Sequence, residues 1–147
     1  MPTKTVAVAC DHAGLELKSL LLAHLGQQGY EIVDLGTNGP ESVDYPDFGY
    51  AMAAAIREGR AGRGVLVCGS GIGISIAANR HPEVRAALVH DAYGARMCRQ
   101  HNDANVICFG GRTTGPDVAL DCLAAFLETE FEGGRHGRRV EKLSNPS

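Results

Sequence analysis

The chain has 147 residues, 44% of them hydrophobic, and carries a formal net charge of −3. The length fits one domain over residues 1–147, and the apolar fraction with so small a net charge argues against disorder. The slightly acidic balance argues against a nucleic-acid partner, and the 19 glycines lack the three-residue period of collagen.

Five short β-branched runs are predicted as strands, in chain order Thr5–Cys10, Glu31–Leu35, Gly64–Cys68, Arg85–His90 and Asn105–Phe109. The first and third are apolar throughout rather than alternating. Continuous apolar runs are typical of parallel strands that helices cover on both faces. We therefore expect the strands to form one mainly parallel sheet.

Segments with one apolar face alternate with these strands, which predicts helices around residues 15–25, 48–56 and 118–127. Asp47 follows Pro46 and is expected to cap the second helix, and Pro116 is expected to open the third. Strand–helix alternation predicts an α/β fold, a three-layer α/β/α sandwich around a five-stranded parallel sheet. Ligands bind such sheets beyond the carboxyl ends of the strands.

The C-terminal segment, residues 131–147, differs in charge from the rest of the chain. From residue 132 onward it has four basic and two acidic side chains, a net charge of +2, which leaves −5 on the remainder. We interpret it as a basic arm. An acidic body with a basic arm is compatible with an anionic small-molecule substrate.

The five cysteines are odd in number and form no CxxC pair, which argues against a disulfide framework and a zinc knuckle. No apolar run is long enough to span a membrane, and the chain enters its first strand without a signal peptide. These features predict a reducing, cytoplasmic setting. Cys68 is the one cysteine with a candidate role beyond packing.

The first strand ends in Cys-Asp-His-Ala-Gly, residues 10–14, directly before a helix. Asp11 and His12 are expected to project into the crevice at the sheet edge. Asp11 has an equally good structural interpretation, because an aspartate at this position caps the helix that follows.

The third strand ends in Cys-Gly-Ser-Gly-Ile-Gly, residues 68–73, before a helical segment. Alternating glycines let backbone N–H groups converge, and such a nest binds a phosphate or a developing oxyanion. The pattern misses the GxGxxG dinucleotide fingerprint because Ile74 stands where the third glycine belongs. Asp91, about 20 residues on, would suit a ribose, so a dinucleotide site is a weaker alternative.

Cys68 stands at the mouth of this loop, where a thiolate is stabilised and becomes a plausible base or nucleophile. His101 precedes the last strand, and histidine is a residue type suited to proton shuttling, while Arg112 follows that strand. His12, His101 and His136 are an alternative set of metal ligands. Their scattered spacing argues against it, and we expect no metal.

Six ordered motifs carry a family resemblance, at residues 10–14, 44–47, 68–79, 99–106, 109–112 and 131–136. With them the chain resembles the ribose-5-phosphate isomerase B family, which also holds the galactose-6-phosphate isomerase subunits. The resemblance implies a Rossmann-like fold, no cofactor and no metal. It further implies a homodimer, or a tetramer of such dimers, with each active site completed by the partner. Because Cys68 is present and Ile74 stands where another branch has glutamate, this chain is similar to the cysteine branch.

By this resemblance Cys68 is the base that moves a proton between the two reacting carbons, and Ser70 moves protons among the oxygens. His101, aided by Asp11, opens the sugar ring, and the loop amides hold the enediolate. Motif spacing favours Arg139 over Arg138 as a phosphate ligand. The residues expected to bind substrate are Asp11, His12, Tyr45, Gly69, Ser70, Gly71, Ile72, Gly73, Asn102, Arg112, Arg135 and Arg139.

The expected function is the interconversion of ribose 5-phosphate and ribulose 5-phosphate. Since the same residues would serve other sugar phosphates, an isomerase of a tetrose or hexose phosphate (allose or galactose 6-phosphate) is the near alternative. A non-catalytic sugar-phosphate-binding protein of the same fold is the alternative from another class. No nucleic-acid or membrane partner is expected.

Overall fold

The structure, a computed structural model, describes residues 4–146. Five strands run in chain order: β1 Thr5–Cys10, β2 Glu31–Asp34, β3 Arg63–Cys68, β4 Ala86–Leu88 and β5 Val106–Gly110. Six α-helices run between and after them: α1 Leu15–Gln27, α2 Tyr45–Arg57, α3 Ile72–Ala78, α4 Ala92–Gln100, α5 Pro116–Glu128 and α6 Arg135–Ser144.

The strands form one sheet in the order β2-β1-β3-β5-β4, and every neighbouring pair is parallel. This confirms the predicted five-stranded parallel sheet. The register pairs Cys10 with Val67 and Cys68 with Gly110, so that β1, β3 and β5 end at the same edge. The chain reverses its direction across the sheet between β1 and β3, the position where open α/β sheets bind ligands.

Two apolar clusters lie on opposite faces of the sheet, because successive strand side chains point to opposite sides. One face of β1 packs Val6 and Val8 beneath α1, α4 and α5, with Phe126 fully buried there. The other face packs Ala7 and Ala9 beneath α2 and α3. The predicted three-layer α/β/α sandwich is confirmed.

Several predicted boundaries shift. β4 is only three residues long, against the six expected. At its start, the backbone N–H of Arg85 donates to the Asn105 side chain instead of to a neighbouring strand. The expectation that Asp47 caps α2 is wrong: Asp44 is the N-cap residue. Asp47 lies in the first turn, where its carboxylate interacts favourably with the helix dipole. Pro116 opens α5 as predicted.

The C-terminal basic segment forms α6, a helix that the sequence analysis does not predict. Most of its side chains are exposed, and His136 and Val140 are the two buried ones. Residue 147, the last residue of the expected arm, lies outside the described residues. Among the residues that the structure describes, no helix has the length and apolar character needed to cross a bilayer.

Candidate active site

A cleft of about 630 Å³ opens where β1, β3 and β5 end. Its volume falls in the range of about 300–1,000 Å³ that is usual for small-molecule sites. Most of its walls come from the predicted site residues. The lining consists of Asp11, Tyr45, Cys68, Gly69, Ser70, Ile72, Gly73, Ile76, Arg112 and Thr113.

The loop between β3 and α3 forms the floor of the cleft, and it requires glycine at residue 71. Gly71 has φ +77°, in the left-handed region, and a Cβ there would lie 2.8 Å from the carbonyl carbon of Phe109. The backbone therefore approaches β5 more closely than any larger residue permits. This close approach turns the amide of Gly71 back toward the end of β3.

Cys68 lies at the bottom of the cleft, with 4% of its surface exposed. The Gly71 N–H donates to its Sγ over 3.2 Å. Beside it, the Ile72 N–H donates to Oγ of Ser70 over 3.2 Å. These two bonds fix the positions of a thiol and a hydroxyl in the wall of the cleft, and both kinds of group can exchange protons with a bound molecule.

The other four cysteines are buried in the two apolar clusters. Burial raises the pKa of Cys10, Cys98 and Cys122 to about 11 from 9.0, and it also raises the pKa of Cys108. These thiols stay protonated and inert at neutral pH. Their environment agrees with the interpretation that they only pack.

Asp11 combines the two roles that the sequence left open. Its Oδ1 accepts the N–H groups of Ala13 (3.0 Å) and Gly14 (3.2 Å), which confirms the capping interpretation. It also lines the cleft. The capping contacts fix the carboxylate at the end of β1, with the side chain almost entirely buried.

Arg112 reaches the cleft because the end of β5 is bonded to the glycine loop. The Gly111 N–H donates to the Cys68 carbonyl (2.8 Å), and the Arg112 N–H donates to the Gly69 carbonyl (3.0 Å). The guanidinium consequently lies beside Gly69. On the opposite wall, the ring of Tyr45 packs against Gly73.

His12 lies next to the cleft without lining it. Its Nδ1 accepts the backbone N–H of Val43 over 3.1 Å. A neutral imidazole held in this way carries its proton on Nε2, which leaves that nitrogen as a donor for an anion. Asp91, the residue considered for a ribose contact, instead caps α4, with Oδ1 accepting the Gly94 N–H over 2.7 Å.

Besides His12 and Gly71, four predicted substrate or catalytic residues do not line this cleft. His101 follows α4 and stacks on His136, with ring centroids 4.3 Å apart and an interplanar angle of 13°. Burial, followed by the neighbouring His101, lowers the pKa of His136. Asn102 lines a separate cavity of about 350 Å³. Arg135 and Arg139 are exposed on α6.

Several residues that shape the cleft and the turn carrying His101 are not predicted from the sequence. Ile76 and Thr113 complete the cleft, and they carry no polar signal at a strand end that would single them out. Arg99 is buried and donates to the Asp103 carboxylate and to the carbonyls of Ala104 and Thr129. It therefore holds the turn that carries His101. Its place at the head of the 99–106 motif is the one signal that could have found it.

The fold and cleft together define a class: an α/β/α sandwich protein with a cleft of small-molecule size at the carboxyl edge of a parallel sheet and a thiol in the wall of that cleft. The glycine loop, the arginine residue Arg112 and the buried carboxylate of Asp11 line this cleft. This combination suits proton transfer next to a carbonyl group, because such a reaction needs a base and donors for an oxyanion.

Comparison with known proteins narrows this class. Residues 6–143 match the family described as Ribose/Galactose Isomerase. The chain is 43% identical to ribose-5-phosphate isomerase B of Escherichia coli over 141 residues, 96% of this chain and 95% of the relative. It is 40% identical to D-erythrulose-4-phosphate isomerase of Pectobacterium atrosepticum, over 95% of this chain and 92% of that protein.

Among solved structures, ribose-5-phosphate isomerase B of Clostridium thermocellum superposes with a TM-score of 0.94 at 48% identity, covering 95% of both chains. The chain belongs to the Ribose/Galactose Isomerase family, which confirms the resemblance carried by the six motifs.

Proposed function

We propose that this chain interconverts ribose 5-phosphate and ribulose 5-phosphate by ring opening and a cis-enediolate intermediate. The observation that carries the proposal is Cys68 at the bottom of a 630 Å³ cleft, with the Gly71 amide bonded to its sulfur. The identity to a ribose-5-phosphate isomerase B over nearly the full chain supports the substrate.

In this mechanism the Cys68 thiolate removes the proton from C2 of the open-chain aldose. The resulting enediolate accepts hydrogen bonds from the loop amides of residues 69–73. Ser70 moves the hydroxyl proton from O2 to O1, and the Cys68 thiol returns its proton to C1. Positioned acid–base groups contribute roughly 10²–10⁴-fold to such a reaction, and one oxyanion donor about 10²–10³-fold.

The remaining steps, ring opening and phosphate binding, use residues of the cleft together with residues that lie outside it. His101, aided by Asp11, opens the ring. His12, Arg112, Arg135 and Arg139 bind the phosphate or orient the sugar, with Asn102 on a sugar hydroxyl. His101, Asn102 and the two α6 arginines lie outside the cleft of their own chain, which supports a homodimer, or a tetramer of such dimers, in which they complete the partner's cleft.

The catalytic proposal is tested with Cys68→Ala. We expect turnover of ribose 5-phosphate to fall by at least about 10³-fold, because the variant has no base at the reacting carbons. Substrate binding, measured by calorimetry, should change little. Cys122→Ala is the matched control, since it removes a buried thiol from the core and should keep its turnover. A fully active Cys68→Ala enzyme contradicts the proposal.

The shared site is tested by mixing two inactive variants, Cys68→Ala and His101→Ala. If each cleft takes His101 from the partner, a mixed dimer has one cleft with both residues intact. Reassembly of the mixture should then restore activity that neither variant shows alone. Mixed dimers that form and stay inactive would show that each site uses a single chain.

The identity to an erythrulose-4-phosphate isomerase supports a tetrose phosphate as the second candidate substrate. Comparing kcat/KM for ribose 5-phosphate with the values for erythrulose 4-phosphate, allose 6-phosphate and galactose 6-phosphate separates the candidates. Binding without turnover of any of them would favour the non-catalytic sugar-phosphate-binding protein.

All five cysteines are free thiols, which supports a reducing, cytoplasmic setting.

A further inference from the structure

Three side chains with metal-ligating atoms meet beside the end of α4. In His101, Glu132 and His136 one such atom from each residue lies within 4.8 Å of the others. Oε1 of Glu132 is 3.6 Å from Nε2 of His136, and the two imidazole rings stack at 4.3 Å. We call these three residues the His–Glu cluster.

The backbone positions each of the three residues of the cluster. His101 is the C-cap residue of α4, and its N–H donates to the Met97 carbonyl over 2.9 Å. The N–H of Glu132 donates to the Gln100 carbonyl over 3.2 Å, which ties residue 132 to the same helix end. His136 lies in the first turn of α6, with 6% of its surface exposed. The ligand atoms are therefore already close without a bound ion.

The spacing of the atoms suits a small transition metal. A tetrahedral zinc ion with bonds of about 2.0–2.1 Å separates its ligand atoms by about 3.3 Å. The Glu132–His136 distance is close to this value. The two rings lie nearly parallel, so one imidazole must tilt out of the stack before both rings can direct a nitrogen at the same ion. Two imidazoles and one carboxylate form a ligand set that zinc sites use when they keep a position open.

The charged groups near His136 have opposite effects on cation binding at the cluster. The positively charged guanidinium groups of Arg135 and Arg139 disfavour a cation next to His136. The Glu132 carboxylate acts with the opposite sign and supplies the anionic ligand. Sequence spacing argues against His12, His101 and His136 as a metal site. The fold brings two of these together, and Glu132 joins them instead of His12.

We propose that His101, Glu132 and His136 form a Zn²⁺-binding site that lies outside the cleft of their own chain and competes with catalysis. A bound ion would occupy the imidazole of His101 and fix the start of α6 to the end of α4. Zinc should therefore inhibit the isomerase by removing the ring-opening residue. This inhibitory effect rests on the proposed function, whereas the binding of zinc does not.

Binding is tested by titrating ZnCl₂ into chelator-treated protein in a calorimeter, with Cys68→Ala as the starting protein so that the cleft thiol cannot bind the ion. Adding Glu132→Gln should weaken binding by at least about tenfold, since loss of even a supporting partner of a metal site costs 10–100-fold. Glu130→Gln is the matched control: it removes the same charge from an exposed residue two positions away and should leave the affinity unchanged.

Two outcomes overturn the site: equal zinc affinity in the Glu132→Gln and Glu130→Gln proteins, or loss of zinc binding on Cys68→Ala alone. Co²⁺ gives a second measurement on the unmodified chain. Its spectrum should show d–d bands without a thiolate charge-transfer band, and a thiolate band would assign the metal to sulfur. Mg²⁺ should not bind, since it prefers oxygen ligands.

The inhibitory effect is measured separately, as the zinc concentration that halves turnover in the unmodified enzyme and in Glu132→Gln. We expect the variant to need at least about ten times more zinc, in line with its weaker binding. Equal sensitivity in both proteins would overturn the link to catalysis. A chain with no isomerase activity on any sugar phosphate would refute the proposed function and leave the calorimetric result standing.

Discussion

The cleft and the His–Glu cluster are built from different kinds of contact. The cleft is made by the backbone: three parallel strands end together, and the glycine loop packs against β5 with no room for a side chain at residue 71. The cluster is made by side chains on α4, α6 and the segment between α5 and α6. The difference teaches that one site is fixed by the sheet, while the other depends on a few polar contacts.

Arg99 tests how far the second region depends on side chains. Its guanidinium donates to the Asp103 carboxylate (2.8 Å) and to the Ala104 and Thr129 carbonyls (2.7 and 3.1 Å). In Arg99→Met the two carbonyls lose this donor, and the Asp103 carboxylate keeps only Arg85, 3.4 Å away. We expect the free energy of unfolding to fall by about 3–5 kcal/mol, measured by urea denaturation.

Arg96→Met is the control for this change, because Arg96 is an exposed residue of the same helix. Its effect on unfolding should stay within about 0.5 kcal/mol. If the two variants unfold alike, the side-chain contacts of Arg99 do not hold the region. The contrast between the cleft and the cluster would then be lost.

Gly71→Ala tests the backbone contact under the cleft. A methyl group would lie 2.6 Å from Cδ1 of Leu88 and 2.8 Å from the Phe109 carbonyl carbon, at a φ that alanine rarely adopts. We expect a loss of about 2–4 kcal/mol in unfolding free energy together with most of the turnover.

The matched control, Gly26→Ala, is expected to change the unfolding free energy in the opposite direction. Gly26 lies in α1, and a methyl group added there would meet nothing within 4 Å beyond the adjacent backbone of its own helix. Gly26→Ala should stabilise the chain by up to about 1 kcal/mol, because alanine restricts the unfolded chain and favours helix. A Gly71→Ala protein as stable as this control would show that the loop can relax.

The parts of the fold that the sequence predicts are those whose local pattern and tertiary environment agree. Strands β1 and β3 are apolar throughout and are buried on both faces, and their predicted ends are correct to within one residue. β4 lies at the sheet edge with half-buried residues, and its ends shift by one to two residues. α6 is missed because its charged sequence offers only Val140 for burial beside His136.

The same reasoning separates the two groups of site residues. Asp11, Cys68 and Arg112 are identifiable because polar residues at the ends of parallel strands must meet at one edge. Their convergence follows from the strand order. The meeting of His101 with Glu132 depends instead on how α6 docks and on the contacts of Arg99. Such contacts between distant segments leave no periodic signal. The sequence singles out His101 by its residue type and its place before β5, but nothing in it pairs that histidine with Glu132.

Gly73→Ala changes a second glycine of the same loop. Unlike Gly71→Ala, it should affect the KM of the enzyme and not its stability. A methyl group there would meet the ring of Tyr45, an exposed side chain that can rotate away. Gly73 lies in the first turn of α3, where alanine is well tolerated. We expect unchanged stability and a KM for ribose 5-phosphate raised by about three- to tenfold, which corresponds to roughly 1 kcal/mol of binding energy.

A double-mutant cycle with Tyr45→Ala checks this route. If the methyl group acts by displacing the ring, Gly73→Ala should have little further effect once Tyr45 is truncated. The same increase in KM in both backgrounds would mean that the loop itself has moved. The cleft would then be more deformable than its backbone contacts indicate.

The smallest expected effect concerns pH and separates the core thiols from the cleft. Burial raises the pKa of Cys10, Cys98 and Cys122 from 9.0 to about 11, so the native chain keeps these protons where the unfolded chain loses them. Their contribution to stability is complete below pH 9.0 and is lost as the pH rises to about 11. Urea denaturation on both sides of this window should show the unfolding free energy falling.

Cys122→Ala removes one of these thiols, so the unfolding free energy of this variant should fall less steeply over the same pH window.

Alkylation by iodoacetamide near neutral pH compares the accessibility of the same thiols with that of Cys68. Because Cys68 lines the cleft, it should react before the four thiols that are packed in the core. Equal labelling of all five cysteines would require the core to open as readily as the cleft. The backbone contacts that fix the cleft would then resist opening no better than the side-chain contacts around His101.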